Sequence, residues 1–248
     1  MDIRELHGWQ PTAAAEAIEL QKKLVSRVSG RGKVVSPRYI AGVDMAFMRG
    51  DSEGAAAVVV LSYPELEVIE AKIARGKPDF PYIPGLLSFR ELPLTLAACK
   101  QLTITPDLVF VDGQGIAHPR RFGFASHLGI FLDVPTIGCA KSRLCGESEA
   151  PELEAGSYAE LKDDDEIIGA VLRTRTGVSP LYISTGHKID LPEAIRWTLA
   201  CCRGYRMPEP TRLAHQEANT HRRELLASKA ERLEVSEGEP KETISAGT

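Results

Sequence analysis

The segment RYIAGVDMAF, residues 38–47, decides how the rest of the chain is read. Its residues alternate with the two-residue period of a pleated strand. One residue breaks the apolar character: Asp44, a carboxylate in the strand's interior. AAAVVVLSY (55–63) and LEVIEAKIA (66–74) follow, parted by the turn-like Pro64-Glu65, so three strands in succession form a meander. Toward the start of the chain, Pro11 and then AAAEAIELQKKLVSRV (13–28) read as a helix with proline in its first turn.

Toward the end, the Pro- and Gly-rich loop RGKPDFPYIPG (75–85) leads into a helical stretch through Gln101, kinked or restarted at Pro93. TPDLVFVDG (105–113) is a short apolar strand closed by Asp112. FGFASHLGIFLD (122–133) reads as a helix and PTIGCAK (135–141) as a buried strand. EIIGAVLRT (166–174) and PLYIST (180–185) are further strands, and LPEAIRWTLACCRG (191–204) and PEPTRLAHQEANTHRREL (208–225) are helices. The order β-β-β-α-β-α-β predicts an α/β fold with a mixed sheet flanked by helices. Residues 1–233 are expected to form one domain. The polar residues 234–248 are expected to form a disordered tail.

A chain of 248 residues, 43 % hydrophobic and 26 % charged, has the profile of a globular protein able to bury its own core. The longest apolar run, 55–61, is far short of a membrane span, and the polar N-terminus MDIRELHGWQ does not read as a signal peptide. A cytoplasmic monomer with no membrane association is expected. Five cysteines, an odd number without a CxxC pair, argue against a disulfide framework or a zinc site. The net charge of −4 weighs against a basic nucleic-acid footprint. The acidic residues, however, crowd into 147–166 and the tail, while Arg90, His118, Arg120, Arg121, Lys141 and Arg143 fall in the segments that carry chemistry. That division fits a basic working face on an acidic body.

Asp44 and Asp112 sit where burial disfavours a charge, and Glu91 follows Phe89-Arg90 on the helix after the Pro-rich loop. A carboxylate in an apolar strand must be hydrogen-bonded, paired or bound to a metal. Crowded acids repel, and a hard divalent cation with oxygen ligands relieves the repulsion. Strand-end aspartates also cap turns, so the carboxylates alone support only a metal-dependent hydrolase as one reading. PYIPG (81–85) holds Tyr82 and Ile83 between two prolines as a stiff protrusion suited to stacking or wedging between bases. In DGQGIAHPRRFG (112–123), Gly113 and Gly115 permit close backbone approach, and His118, Arg120 and Arg121 are phosphate donors. GCAKSRLCG (138–146) places Lys141 after a buried strand, where its charge suits a phosphoryl transition state.

In sequence order, IAGVDMAF, PYIPGLLSFRE, FVDGQGIAHPRRFGFASHLG, GCAKSRL, STGHKI and YRMPEPTRLAH resemble the successive motifs of the endonuclease V family, from about Tyr39 to about His215. The resemblance implies a ribonuclease H-like fold. It also implies hydrolysis, with Mg²⁺ or a substituting Mn²⁺, of the second phosphodiester bond 3′ to deoxyinosine in DNA. By motif position, Asp44, Glu91 and Asp112 would ligate metal, with His215 beside them, and Lys141 would contact the phosphate at the cut. Tyr82, with Ile83 and Pro84, would fill the gap left by the displaced base. Gly113 and Gly138 would line the hypoxanthine pocket, and His118 and Arg120 would lie along the strand. His187 in STGHKI reads as structural, holding a strand–helix corner. Other deaminated bases and inosine-containing RNA are alternative substrates, and a non-catalytic nucleic-acid-binding relative is the competing class. A pure binder, however, has no need of the set Asp44, Glu91, Asp112 and Lys141.

Overall fold

The computed structural model describes residues 1–7, 11, 13–48, 50 and 53–238, with side chains as far as Ser228. Helix α1 (Ala14–Leu24) ends in a 3₁₀ turn and is followed by the meander β1 (Tyr39–Phe47), β2 (Gly54–Ser62) and β3 (Val68–Gly76). Then come α2 (Leu87–Lys100), β4 (Leu108–Val111), α3 (Phe124–Leu132) and β5 (Thr136–Ala140). The chain continues through β6 (Tyr158–Asp163), β7 (Glu166–Leu172), β8 (Leu181–His187), α4 (Leu191–Ala200) and α5 (Glu209–Gly238).

The strands form one eight-stranded sheet in the order β3-β2-β1-β4-β5-β8-β7-β6. At its centre β1, β4 and β5 run parallel, and the strands on either side pair antiparallel. The mixed α/β architecture expected from the strand and helix order is therefore present. Its core lies on both faces of the sheet, and alternate residues choose the face. Ala41, Val43, Val109 and Val111 pack with α2 and α3 residues such as Leu92, Leu96, Leu128 and Phe131. Ile40, Leu108, Phe110 and Ile137 pack with Ala194, Trp197 and Ala214 from α4 and α5. Central strands buried on both sides need the near-continuous apolar runs seen at 55–61 and 108–111.

Three features differ from the sequence reading. Strand β6 is additional: only Leu161 of its six residues is buried, so the edge strand shows no apolar pattern. Helix α2 passes through Pro93 as one helix, without a restart. Helix α5 runs on to Gly238, past the Glu234 boundary expected for a tail, and residues 239–248 lie outside the described residues. Among the described residues no helix is long and apolar enough to cross a membrane.

The start of α5 lies against β1 with no room to spare. A Cβ on Gly42 would stand 1.9 Å from the Pro210 carbonyl oxygen and 2.7 Å from the Thr211 nitrogen. Only glycine admits that approach. Side chains alternate along a strand, so Asp44, two residues on, faces the same helix.

Candidate active site

Asp44 on β1, Asp112 directly after β4 and His215 on α5 meet at one point. Their ligand atoms all lie within 4.8 Å of one another. Parity explains the convergence of the carboxylates. Val43 and Val111 belong to the α2–α3 face, so the next residue on each parallel strand turns to the α5 face. The His215 imidazole is held from two sides: its Nδ1 lies 2.6 Å from Asp44 Oδ2, and Asn219 one turn later lies 3.1 Å from its Nε2. Asp44 also accepts a bond from the Met45 N–H at 2.8 Å. Lys141, one residue beyond β5, pairs with Asp112.

The charges show what the crowding costs. Burial, reinforced by the neighbouring Asp44, holds the Asp112 carboxyl above the usual range even with Lys141 opposing. Lys141 stays above its ordinary value despite its own burial, because Asp112 and Asp44 favour its charge. The bond to Asp44 raises His215. Glu91 on α2 is not part of the three-residue group. Burial nevertheless pushes its carboxyl well above the usual range, with the charges of Asp44 and Asp112 adding to the effect, so it borders the same focus. Of the expected ligands, Asp44 and Asp112 share one focus with His215, and Glu91 stands beside them.

Next to Asp112 and Lys141 opens a cleft of about 320 Å³, in the size range of small-molecule sites. Asp112, Gly113, Gln114 and Phe124 line one side, Lys141 to Leu144 another, and Tyr82, Pro84 and Gly85 a third. Tyr82 is 64 % exposed at this border. Ile83 is not part of the protrusion, because it packs against Phe80, Leu86 and Phe89. The loop is fastened at Gly85, whose φ of +77° favours glycine. The Gly85 carbonyl lies 3.0 Å from Gln21 Nε2, 2.9 Å from His118 Nε2 and 2.8 Å from Arg120 Nη2.

His118 is 2 % exposed, and Arg120 turns inward to Gly85 and to Gln21 Oε1 at 2.5 Å. Both side chains grip the PYIPG loop from below. Burial lowers the His118 pKa to about 4, so at neutral pH its ring is uncharged. Gly138 and Gly115 do not line the cleft. A Cβ on Gly138 would stand 2.4 Å from the Gly115 nitrogen, and one on Gly115 2.0 Å from the Thr185 carbonyl. These glycines let the DGQG turn lie flat on β5 and β8, while Gly113 lines the cleft. His187 is buried and accepts from the Ser29 N–H at 3.2 Å, a structural corner.

One residue was not singled out from the sequence although its motif was. Arg206, in YRMPEP, donates from Nη2 to the Lys141 carbonyl at 3.0 Å and to the Pro180 carbonyl at 2.7 Å. It ties the Lys141 backbone to the start of β8. Burial raises the Cys99 and Cys201 thiols to about 12 and Cys202 to about 11, which disfavours the nucleophilic thiolate at these three.

With this geometry in place, the sequence profile of the family described as Endonuclease V matches residues 19–216, four fifths of the chain and every residue of the cluster. The chain belongs to the endonuclease V family. Endonuclease V of Dehalococcoides mccartyi is 54 % identical over 216 residues, covering 87 % of this chain and 96 % of that protein. The crystal structure of the Bacillus subtilis endonuclease V superposes with a TM-score of 0.88 at 33 % identity, over 92 % of this chain and all of that one. Ciona intestinalis endonuclease V was crystallised in complex with a 24mer DNA containing an inosine followed by a ribo-adenosine. It aligns with a TM-score of 0.74 at 26 % identity, over 85 % of this chain and 98 % of that one. As an endonuclease V the chain is a nuclease.

Proposed function

We propose that this endonuclease V cuts DNA at the second phosphodiester bond 3′ to deoxyinosine, with Mg²⁺ or Mn²⁺, leaving a 5′-phosphate and a 3′-hydroxyl. The observation that carries the reading is the convergence of Asp44, Asp112 and His215, backed by Lys141, beside a cleft bordered by an exposed tyrosine. The inosine-containing DNA bound by the Ciona protein supports the choice of lesion.

The donor set fits a divalent ion. Two carboxylates and an imidazole share one focus, where burial and then the charge of Asp44 raise the Asp112 carboxyl even with Lys141 opposing. Asp44, Asp112 and His215 would hold the ion, with Glu91 adjacent. When bound, the ion offsets phosphate charge and makes water a stronger nucleophile. The protein's own groups do the rest. Lys141 places a fixed positive charge where the phosphate's charge grows. Asn219 and Asp44 orient the His215 ring. Tyr82 offers a π-face to the strand while the cleft takes the extruded base, which a mispaired, deaminated nucleotide gives up most easily.

A nicking assay on a duplex with one deoxyinosine, with and without Mg²⁺, tests the reading, the cut being mapped to the nucleotide. Cleavage one nucleotide beyond the lesion is expected. Asp112→Ala should abolish it and leave inosine-DNA binding within a few-fold. A metal-independent nick, or no nick on deoxyinosine while an inosine-containing RNA is cut, would overturn the assignment.

A further inference from the structure

Gln114 carries a hydrogen-bonding group in the cleft wall that no described residue uses. The side chain is 9 % exposed, and its Nε2 donates to the Ser142 carbonyl at 2.9 Å, bridging the DGQG turn and the segment after β5. Its Oε1 is buried, with no partner among the described residues. Buried polar groups normally find partners, and an exception asks for a cause.

The other buried polar side chains of the cleft are committed. Gln21 donates to the Gly85 and Phe122 carbonyls and accepts from Arg120. Ser88 Oγ lies 3.0 Å from His127 Nδ1, and His118 holds Gly85 while accepting from the Arg120 N–H. Of the buried side-chain atoms found without a partner among the described residues, Gln114 Oε1 alone belongs to a cleft-lining residue. The missing donor is therefore to be sought in whatever enters the cleft.

We propose that Gln114 is the side chain that reads deamination, its Oε1 accepting the ring N–H that deamination creates. The inference rests on the reading of the cleft as the seat of an extruded base. Adenine presents a lone pair at N1; hypoxanthine presents N1–H. An amide oxygen facing that atom repels the first and bonds the second, so a neutral acceptor distinguishes them without touching O6. The remaining Gln114 contact, to Ser142, fixes which end of the amide faces the base.

The test measures affinity without divalent ions for two duplexes, one with deoxyinosine and one with deoxynebularine, the purine nucleoside lacking both O6 and N1–H. Gln114→Met keeps the length and removes the amide. It should weaken deoxyinosine binding roughly 10- to 100-fold, as for a buried donor left unpaired, and leave deoxynebularine binding within about twofold. Gln114→Ala serves as a second variant, and melting temperatures establish that both are folded. Equal losses on the two duplexes would mean that Gln114 only braces Ser142, and unchanged deoxyinosine binding would mean that it reads nothing; either overturns the proposal. If the unsubstituted protein fails to nick deoxyinosine DNA, the parent reading falls and this one with it. Nicking by the unsubstituted protein with no selectivity lost in the variants removes this proposal alone.

Discussion

Gly42→Ala adds one methyl group far from any reacting atom, yet the structure predicts that it disables the site. The new Cβ would lie 1.9 Å from the Pro210 oxygen and 2.1 Å from the Pro210 carbon, both backbone atoms that no rotamer change can move. Restoring ordinary contact requires the start of α5 to retreat by about 1.5 Å. His215 rides on that helix five residues later, and its 2.6 Å contact to Asp44 would open to about 4 Å, beyond hydrogen-bonding range. A misplacement of about 1 Å at a catalytic group costs on the order of 10²-fold in rate. Overpacking also costs about 1–3 kcal/mol of stability, which for a chain of this size lowers the melting temperature by roughly 2–12 °C. Single-turnover cleavage of deoxyinosine DNA and thermal unfolding would be compared with Gly30→Ala, where the nearest atom is Thr185 Cγ2 at 4.0 Å and little should change. A Gly42→Ala protein that cleaves within threefold of the unsubstituted one, at an unchanged melting temperature, would refute the reasoning.

Three further outcomes follow from the geometry. The folded His118 pKa of about 4 lies below the unfolded value, so its neutral form stabilises the fold fully above about pH 6.5 and loses that contribution as pH falls toward 4. Urea unfolding should show about 2 kcal/mol more loss between pH 7.5 and 5 than in His118→Gln, and parallel curves would contradict the assignment. Arg206→Ala removes the bonds to the Lys141 and Pro180 carbonyls, so cleavage should fall about 10- to 100-fold with lesion affinity nearly kept. A loss confined to affinity would argue against positioning of Lys141. Tyr82→Ala should leave the melting temperature unchanged, because the ring is 64 % exposed. It should weaken inosine-DNA binding at least tenfold by the loss of stacking; equal affinity would exclude the wedge role.

Much of this molecule is legible because central strands announce themselves. The alternation around Asp44 and the apolar run before Asp112 place one carboxylate in a strand and the other directly after one, where a charge needs a reason. Strand β6 escapes notice since an exposed edge need not alternate. The neighbour relations β1–β4–β5 depend on crossovers that no local pattern encodes. Direction is the other blind spot. His118 and Arg120 sit in a loop whose composition suits phosphate binding, and only the fold shows that the Gly85 carbonyl claims both. Gly138 owes its importance to the close approach of the Gly115 backbone, and Arg206 to a carbonyl on a distant strand end, neither of which a local pattern encodes. His215 became a candidate through the family motif, since a lone histidine on a polar helix carries no signal of its own.

The order in which the residues of the cluster occur along the chain has a consequence for the cell. During synthesis a ribosome delivers both aspartates long before His215, and the strands bearing them can pair while α5 is still being made. A truncated or half-translated product therefore lacks one of the three groups, and the cluster closes only once α5 docks.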